Sequence, residues 1–290
     1  MPNAIEPPSE SPSSLERAYA LLADRADGTW RPLAGGTDLM VQMTGETGEA
    51  PDRVLDIWGL DELRGIAVDG DRLVIGALTT YTELRRSDVI AELVPALVDA
   101  AATIGAAQIQ NRGTIGGNIV NASPAGDTLP VLLAMGAELV LGSVGGERSV
   151  HADDFWPSYR TTARREDELL LRVRIPLVPG RQVRFRKIGT RRAQAISKVV
   201  MALAWRAHAD TGPWTDVRLA LGSVAATTVR APTTEAVLEG AVPTRETADA
   251  AAHALSAELE PIDDVRSTAE YRRLVAGRVL HRLIRDAGGW

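Results

Sequence analysis

The chain has 290 residues, of which 45% are hydrophobic and 24% charged. This composition is typical of one large or two smaller globular domains and excludes disordered and collagen-like classes. The formal net charge is −6, the basic residues are dispersed, and there is no cysteine. Nucleic-acid binding is therefore not indicated, and cysteine-held iron–sulfur clusters or zinc, disulfides and a cysteine-linked flavin are excluded.

The N-terminal segment, residues 1–12, is rich in proline and serine and is predicted to be poorly ordered. It lacks the basic-then-apolar order of a signal peptide. The longest apolar stretches, such as residues 199–204, are far too short for a membrane span. We therefore expect a cytoplasmic protein. Ser13-Ser14-Leu15-Glu16 has the pattern of a capping box, which predicts an amphipathic helix ending near Ala23.

A short strand is predicted at Trp30–Leu33, followed by a glycine-containing loop and a short helix at Leu39–Met43. Thr37 or Asp38 would be the N-cap of that helix. The later predicted elements are strands at residues 53–57 and 72–77, a capped helix beginning at Thr79-Thr80-Tyr81-Thr82-Glu83, a buried helix at 95–104, a helix at 129–135, and strands at 138–142 and 169–175. Between them, residues 111–124 show no periodicity and are predicted to form an irregular loop.

Residues 176–180, Pro-Leu-Val-Pro-Gly, have the composition of a linker. Beyond them, residues 199–208 and 217–224 are predicted to be paired strands joined by the turn Thr211-Gly212-Pro213. Three helices are predicted to follow, at residues 234–238, 246–258 and 268–285. There is no internal repeat, and the pattern indicates an α+β protein with two regions divided near residue 178.

The loop Ala34-Gly35-Gly36-Thr37-Asp38 is the first candidate ligand site. Adjacent glycines let the backbone approach a ligand without an intervening Cβ. The helix start that follows offers free N–H groups and a partial positive charge, which together suit an anion. The hydroxyl of Thr37 adds a donor. A tight turn with an N-cap explains the same residues, so this segment alone does not establish a site.

The segment 111–127, Asn-Arg-Gly-Thr-Ile-Gly-Gly-Asn-Ile-Val-Asn-Ala-Ser-Pro-Ala-Gly-Asp, is the second candidate. Among its small residues lie four hydrogen-bonding side chains, which suit a phosphate and a polyhydroxyl chain: Thr114, Asn118, Asn121 and Ser123. Asp127 is its only carboxylate and could accept hydrogen bonds from ribityl or ribose hydroxyls. Alternatively, Asp127 is the N-cap of the helix that begins near residue 128.

Other nucleotide and metal motifs do not occur in the sequence. Neither glycine segment matches the dinucleotide-binding pattern Gly-x-Gly-x-x-Gly of a doubly wound fold or a Walker loop. The four histidines have no metal-ligand spacing and lie outside both segments; they are His151, His208, His253 and His281. Redox chemistry would therefore require a bound organic cofactor, clasped between two subdomains that both contact its diphosphate.

Together, the two segments resemble the paired FAD motifs of the medium subunits of molybdenum hydroxylases, the family of xanthine dehydrogenase, carbon monoxide dehydrogenase and related hydroxylases. The resemblance rests on 34–39 (Ala-Gly-Gly-Thr-Asp-Leu), 114–118 (Thr-Ile-Gly-Gly-Asn), Asn121-Ala122-Ser123-Pro124 and Asp127. Later landmarks of the family are matched by Arg186-Lys187 with Arg191-Arg192, Arg230-Ala231, Glu235, Leu238-Glu239-Gly240, Asp264-Val265-Arg266 and Ala269-Glu270-Tyr271-Arg272. One departure is Ala195, where relatives commonly carry Asp, which puts a local hydrogen bond in doubt.

The resemblance implies a vanillyl-alcohol-oxidase-like (PCMH-type) FAD-binding domain at residues 1–178, with subdomains at about 1–58 and 59–178. A small C-terminal α/β domain would follow at 181–290. The FAD-contacting residues that the resemblance implies are Pro32, Leu33, Ala34, Gly35, Gly36, Thr37, Asp38, Leu39, Ile104, Thr114, Gly116, Gly117, Asn118, Val120, Asn121, Asp127, Leu170 and Lys187. Among them, Ile104 would lie against the isoalloxazine ring, and Lys187 would favour the anionic reduced flavin.

The resemblance also implies a division of labour in which this chain does no substrate chemistry. A large partner would carry the molybdenum cofactor, and a small partner would relay electrons through two [2Fe-2S] clusters. Non-covalent FAD here would pass electrons to NAD, oxygen, a quinone or another acceptor, in a dimer of heterotrimers. The alternatives are a stand-alone flavin oxidase or dehydrogenase of the same fold, and a scaffold that has lost FAD.

Overall fold

The structure is a computed structural model, and it describes residues 7–26, 28–43, 50–191, 194–207 and 212–290. Three features of the sequence fall outside these ranges: residues 1–6 of the predicted disordered segment, Arg192 with His208, and Thr211 of the predicted turn. Within the described part, no helix combines the length and apolar character that crossing a membrane requires.

The first sheet has three parallel strands in the order β1-β3-β2. Its strands are β1 (Ser9–Glu10), β2 (Trp30–Leu33) and β3 (Arg53–Asp56), and its helices are α1 (Leu15–Ala23) and α2 (Leu39–Met43). The prediction of disorder was wrong for Ser9 and Glu10, because their backbone pairs with β3. The predicted capping box is also corrected: the Ser14 hydroxyl, not that of Ser13, caps α1 by accepting from Arg17 N.

The second sheet is antiparallel, with the strand order β4-β5-β8-β6-β7. Its strands are β4 (Ile66–Asp69), β5 (Arg72–Gly76), β6 (Glu138–Ser143), β7 (Gly146–His151) and β8 (Leu169–Pro176). The strands β5, β6 and β8 were predicted and are confirmed. Neither β4 nor β7 was predicted, because both are short, largely exposed edge strands with little hydrophobic alternation.

A group of short helices packs with this sheet. They are α3 (Tyr81–Arg86), α4 (Asp88–Leu93), α5 (Pro95–Ala102), α6 (Ala107–Arg112), α7 (Ile115–Asn121), α8 (Leu129–Ala134) and α9 (Ala152–Phe155), with a 3-10 helix at Asp61–Leu63. The capped start of α3 is confirmed, since Thr80 and Glu83 form a reciprocal capping box. The predicted irregular loop at 111–124 was wrong, because α6 and α7 run through it.

Helix α7 was not predicted from the sequence because it contains two glycines, and glycine has a low helix propensity. The Thr114 hydroxyl caps α7, and the helix ends at Ala122 in a left-handed conformation with φ 50°. At Gly116, a Cβ would lie 2.7 Å from Ala77 Cβ and 2.7 Å from Ala77 O. Glycine therefore lets this helix lie directly against the chain that leaves β5.

The third sheet is antiparallel, with the strand order β12-β11-β10-β9. Its strands are β9 (Arg181–Ile188), β10 (Val199–Ala207), β11 (Trp214–Gly222) and β12 (Val229–Arg230), and its helices are α10 (Pro232–Leu238), α11 (Arg245–Glu258) and α12 (Ala269–Gly288). The predicted pairing of β10 with β11 is confirmed. Alternate residues of β10 enter two cores: Met201 packs with α11 and α12, whereas Ala202 packs with the core of the second sheet.

Candidate functional site

A cleft lies where the loop after β2, the start of α7 and the start of β8 meet. Its empty volume is about 1120 Å³, which includes space open to solvent. Most of the residues predicted to contact FAD line it: Pro32, Leu33, Ala34, Gly35, Gly36, Thr37, Asp38, Leu39, Ile104, Thr114, Gly116, Gly117, Asn118, Val120, Asn121 and Leu170. The predicted residues Asp127 and Lys187 do not line the cleft.

The first glycine loop is pressed against the end of α6. A Cβ on Gly35 would lie 1.7 Å from Arg112 O, and Gly36 adopts a φ of +78°, so the fold itself requires glycine at Gly35 and favours it at Gly36. The backbone amides from Gly35 to Leu39 donate to no acceptor in the described part of the chain. Such a run of free donors at the start of a helix is suited to an anionic ligand.

The second glycine segment differs, because its amides are already bonded within the protein. Ile115 N donates to Thr79 O at 3.0 Å, Gly116 N to Ala77 O at 2.9 Å, and Gly117 N to Thr114 Oγ1 at 3.0 Å. At Gly117, a Cβ would meet only Thr114 Oγ1 within 4 Å. The segment therefore offers a surface without side chains at Gly117, rather than free amides.

Two side chains of α7 tie this segment to other parts of the cleft and core. Asn121 Nδ2 donates to Asp38 Oδ1 at 3.0 Å and so joins the second segment to the first. Asn121 Oδ1 accepts from Arg160 at 3.2 Å. Asn118 Oδ1 accepts from Thr128 Oγ1 at 2.8 Å. Both asparagines that the sequence suggested as ligand donors thus also have protein partners.

Asp127 and Lys187 form a buried ion pair that adjoins the cleft through Thr103, the neighbour of Ile104. Lys187 Nζ also donates to Thr103 O at 3.2 Å, and Thr103 Oγ1 donates to Asp127 Oδ2 at 3.0 Å. Burial raises the pKa of Asp127, and the Lys187 ammonium opposes that shift. The other oxygen, Asp127 Oδ1, is buried and has no hydrogen-bond partner in the described structure.

The alternative role of Asp127 as a helix N-cap is wrong. The N-cap position of α8 is Thr128, whose side chain makes no capping bond. The Asp127 carboxylate is instead directed to Lys187 and Thr103. The departure from the family pattern, Ala195, lies in the segment that connects β9 to β10.

Several residues that line the cleft were not predicted from the sequence. They include Arg31, Gln42, Ile57, Ala77, Leu78, Tyr81, Ile109, Gly113, Arg164, Glu168 and Leu169. Arg164 lies in a charged stretch that carries no motif, so no sequence signal pointed to it. Among the described histidines, His151 caps α9 and His281 pairs with Asp249. Within the described ranges, no three His, Asp or Glu residues are grouped closely enough to hold a metal ion.

Comparison with known proteins shows which family the chain resembles. Residues 6–178 match the FAD binding domain in molybdopterin dehydrogenase, and residues 184–287 match the CO dehydrogenase flavoprotein C-terminal domain. The carbon monoxide dehydrogenase medium chain of Hydrogenophaga pseudoflava is 33% identical, with 96% of this chain and 95% of the relative covered. The glyceraldehyde dehydrogenase medium chain of Sulfolobus acidocaldarius is 34% identical, with 90% and 91% covered.

Solved structures agree with these matches. Carbon monoxide dehydrogenase from Hydrogenophaga pseudoflava superimposes with a TM-score of 0.90 at 33% identity, covering 96% of each chain. Quinoline 2-oxidoreductase from Pseudomonas putida 86 superimposes with a TM-score of 0.91 at 27% identity, covering 99% of this chain and 98% of the other. The predicted α+β fold, an FAD-binding domain followed by a C-terminal domain, is thereby confirmed. The chain belongs to the family of FAD-binding flavoprotein subunits of molybdenum hydroxylases, which are oxidoreductases.

Proposed function

We propose that the cleft holds FAD non-covalently and that this chain moves electrons between partner subunits and an external acceptor. The observation that supports the proposal is the run of backbone amides from Gly35 to Leu39, which have no acceptor among the described residues and lie in a cleft that the second glycine segment also lines. Free backbone N–H groups at a helix start stabilise phosphate oxygens. In this proposal the diphosphate lies on the first loop and is packed against Gly117, where no side chain intervenes.

The Asp127–Lys187 pair would lie at the isoalloxazine end of FAD. Its fit to the flavin is supported by Asp127 Oδ1, a buried acceptor that has no partner among the described residues, because a flavin ring N–H or a ribityl hydroxyl could satisfy it. The Lys187 charge is compensated by Asp127, so we expect Lys187 to raise the flavin potential less than a free ammonium would. Ile104 would give the ring an aliphatic rather than an aromatic neighbour.

When bound, FAD supplies redox chemistry that no side chain of this protein can provide. The chain's own part is to bind the cofactor, orient it and limit solvent access to it. Within this proposal, residues 1–178 form the FAD-binding unit, with subdomains at about 1–58 and 59–178, and residues 181–290 form the C-terminal domain. The residues predicted from the sequence to contact FAD remain the proposed contacts.

The proposed partners follow from the relatives and from composition. Solved relatives include a Cu,Mo-CO dehydrogenase and a carbon monoxide dehydrogenase that lacks the Mo-pyranopterin moiety of its cofactor, and several relatives are named medium chains. This chain has no cysteine for cluster ligation. We propose a large molybdenum-cofactor subunit and a small subunit with [2Fe-2S] clusters as its partners, assembled as a dimer of heterotrimers in the cytoplasm.

The test is purification of the chain alone and with its co-purifying subunits. We expect a yellow protein whose flavin is released by acid precipitation and identified as FAD, and no substrate turnover by the isolated chain. Addition of the partner subunits should then allow substrate to reduce the flavin. Turnover by the chain alone would contradict the subunit role, and a protein without affinity for FAD would contradict the site.

A further inference from the structure

Four arginines in the described part of the chain have a buried Nε without a hydrogen-bond partner: Arg164, Arg181, Arg218 and Arg272. Three of them are compensated by a carboxylate. Arg181 pairs with Asp216, Arg218 with Asp153 at 2.9 Å, and Arg272 with Asp264 at 2.7 Å. By contrast, Arg164 has no carboxylate within ion-pair distance among the described residues.

Backbone oxygens hold the Arg164 side chain in place, but no carboxylate among the described residues pairs with it directly. Its Nη1 donates to the backbone oxygens of Arg165 at 2.8 Å and Glu168 at 2.6 Å. The nearby Glu168 carboxylate is held by Arg148 at 2.6 Å and by Arg165 at 2.9 Å. Burial lowers the pKa of Arg164 and the charge of Arg31 lowers it further, whereas the carboxylates of Glu168, Glu166 and Asp167 oppose this shift without outweighing it. A partly buried cation beside a second cation is costly unless a ligand compensates it.

Arg164 lines the cleft and makes no hydrogen bond or ion pair with Asp127, Lys187 or Thr103 in the described structure. Together with Arg31 and Gln42 it also lines a second, more polar depression, so these three residues lie where the cleft and that depression adjoin. A separate part of the lining is Ile104, whose neighbour Thr103 bonds to both Asp127 and Lys187.

We propose that Arg164 positions the adenosine half of FAD, its guanidinium recognising adenine. This inference rests on the proposed function, in which the diphosphate lies on the Gly35–Leu39 amides and the flavin ring lies near Asp127. With those two parts of FAD assigned, adenine is the group that remains for Arg164. Its ring nitrogens accept hydrogen bonds, which the buried Nε–H requires, and its π face is a favourable partner for a planar cation.

The experiment compares Arg164→Met with the wild-type full-length chain after removal of flavin. Affinities are measured by titration calorimetry for FAD and for its two halves, AMP and FMN. We expect the Kd of FAD and of AMP to rise about 10- to 100-fold, the range for a lost hydrogen bond to a charged group, and the Kd of FMN to stay unchanged. Arg165→Met is the matched control: it removes the same charge from the neighbouring residue and should leave all three affinities unchanged.

The outcomes separate this inference from the proposed function. A wild-type chain that binds no FAD contradicts the proposed function, whereas normal FAD and AMP affinity in Arg164→Met overturns only the role of Arg164. Equal losses for FAD and FMN would place Arg164 at the phosphates and also overturn it. If Arg164→Met does not fold, Arg164→Lys decides. Lys keeps the charge without the planar fork, so AMP affinity should fall while FMN affinity stays constant, and unchanged AMP affinity would overturn the inference.

Discussion

The two glycine segments of the cleft have similar sequences, yet they contribute in different ways. In the first, Ala34–Asp38, the backbone amides from Gly35 to Leu39 have no acceptor among the described residues. Glycine is required at Gly35 because Arg112 O lies where a Cβ would be. In the second, Thr114–Asn118, the amides of Ile115 and Gly116 donate to backbone oxygens that follow β5, and the amide of Gly117 donates to the capping hydroxyl of Thr114. The glycine pair of the first segment therefore accompanies backbone N–H groups that can bind a ligand. The glycine pair of the second segment allows close packing against neighbouring chain.

The largest effect is expected for Gly35→Ala. The new Cβ would lie 1.7 Å from Arg112 O and 2.5 Å from Arg112 C, and backbone atoms cannot move aside as a flexible side chain can. We expect a loss of about 3 kcal/mol or more in the free energy of unfolding, together with loss of FAD. Denaturant unfolding and flavin content measure the two effects. A stable variant with a normal flavin content would show that the loop does not pack as described.

Gly117→Val is expected to affect the ligand and spare the fold. At this position a Cβ would approach only Thr114 Oγ1, at 3.0 Å, whereas a branched side chain would occupy the proposed diphosphate position. The purified variant should retain no FAD, and its flavin-free form should unfold within about 1 kcal/mol of the flavin-free wild type. Normal flavin content would show that the diphosphate does not lie against Gly117.

A matched pair of threonine substitutions separates the two segments directly. The Thr114 hydroxyl caps α7, so Thr114→Val should destabilise the flavin-free chain by about 1 kcal/mol. The Thr37 side chain makes no hydrogen bond in the described structure, so Thr37→Val should leave that stability unchanged and weaken FAD binding about 10-fold. Chemical unfolding without flavin and FAD titration test the pair. If Thr37→Val lowered the stability and Thr114→Val weakened FAD binding instead, the first segment would be the structural one and the second would bind the ligand.

The smallest effect is expected for Asn121→Ala, which removes the hydrogen bond between the segments and the one that Asn121 Oδ1 accepts from Arg160. Because both bonds are exposed, their loss together should cost only about 0.5 kcal/mol of unfolding free energy. We expect a slightly weaker FAD affinity, since the two sides of the cleft would be less firmly joined. An unfolding free energy lowered by several kcal/mol would mean that the segments depend on each other for folding.

Local chemistry made much of this structure predictable. The capping box of α3 needs only Thr80 and Glu83, three residues apart. The strand β10 has an apolar run long enough to be recognised as buried on both faces. The positions of Ser9–Glu10 and α7 were not predictable in this way. Both are held by partners far along the chain: Ser9–Glu10 pairs with β3, and α7 is bonded to the residues that follow β5.

For the residues that line the cleft, too, some properties were predictable from the sequence and others were not. By itself, the sequence determined where two glycine segments rich in donors lie and that no cysteine chemistry is available, because those are properties of neighbouring residues and of composition. Within the part of the chain that the structure describes, only the tertiary structure decided which segment keeps free amides, which oxygen of Asp127 lacks a partner, and that Arg164 lines the cleft without an ion-paired carboxylate. Hydrogen-bond and charge compensation depend on which distant groups come within about 3 to 4 Å, and that is determined by packing.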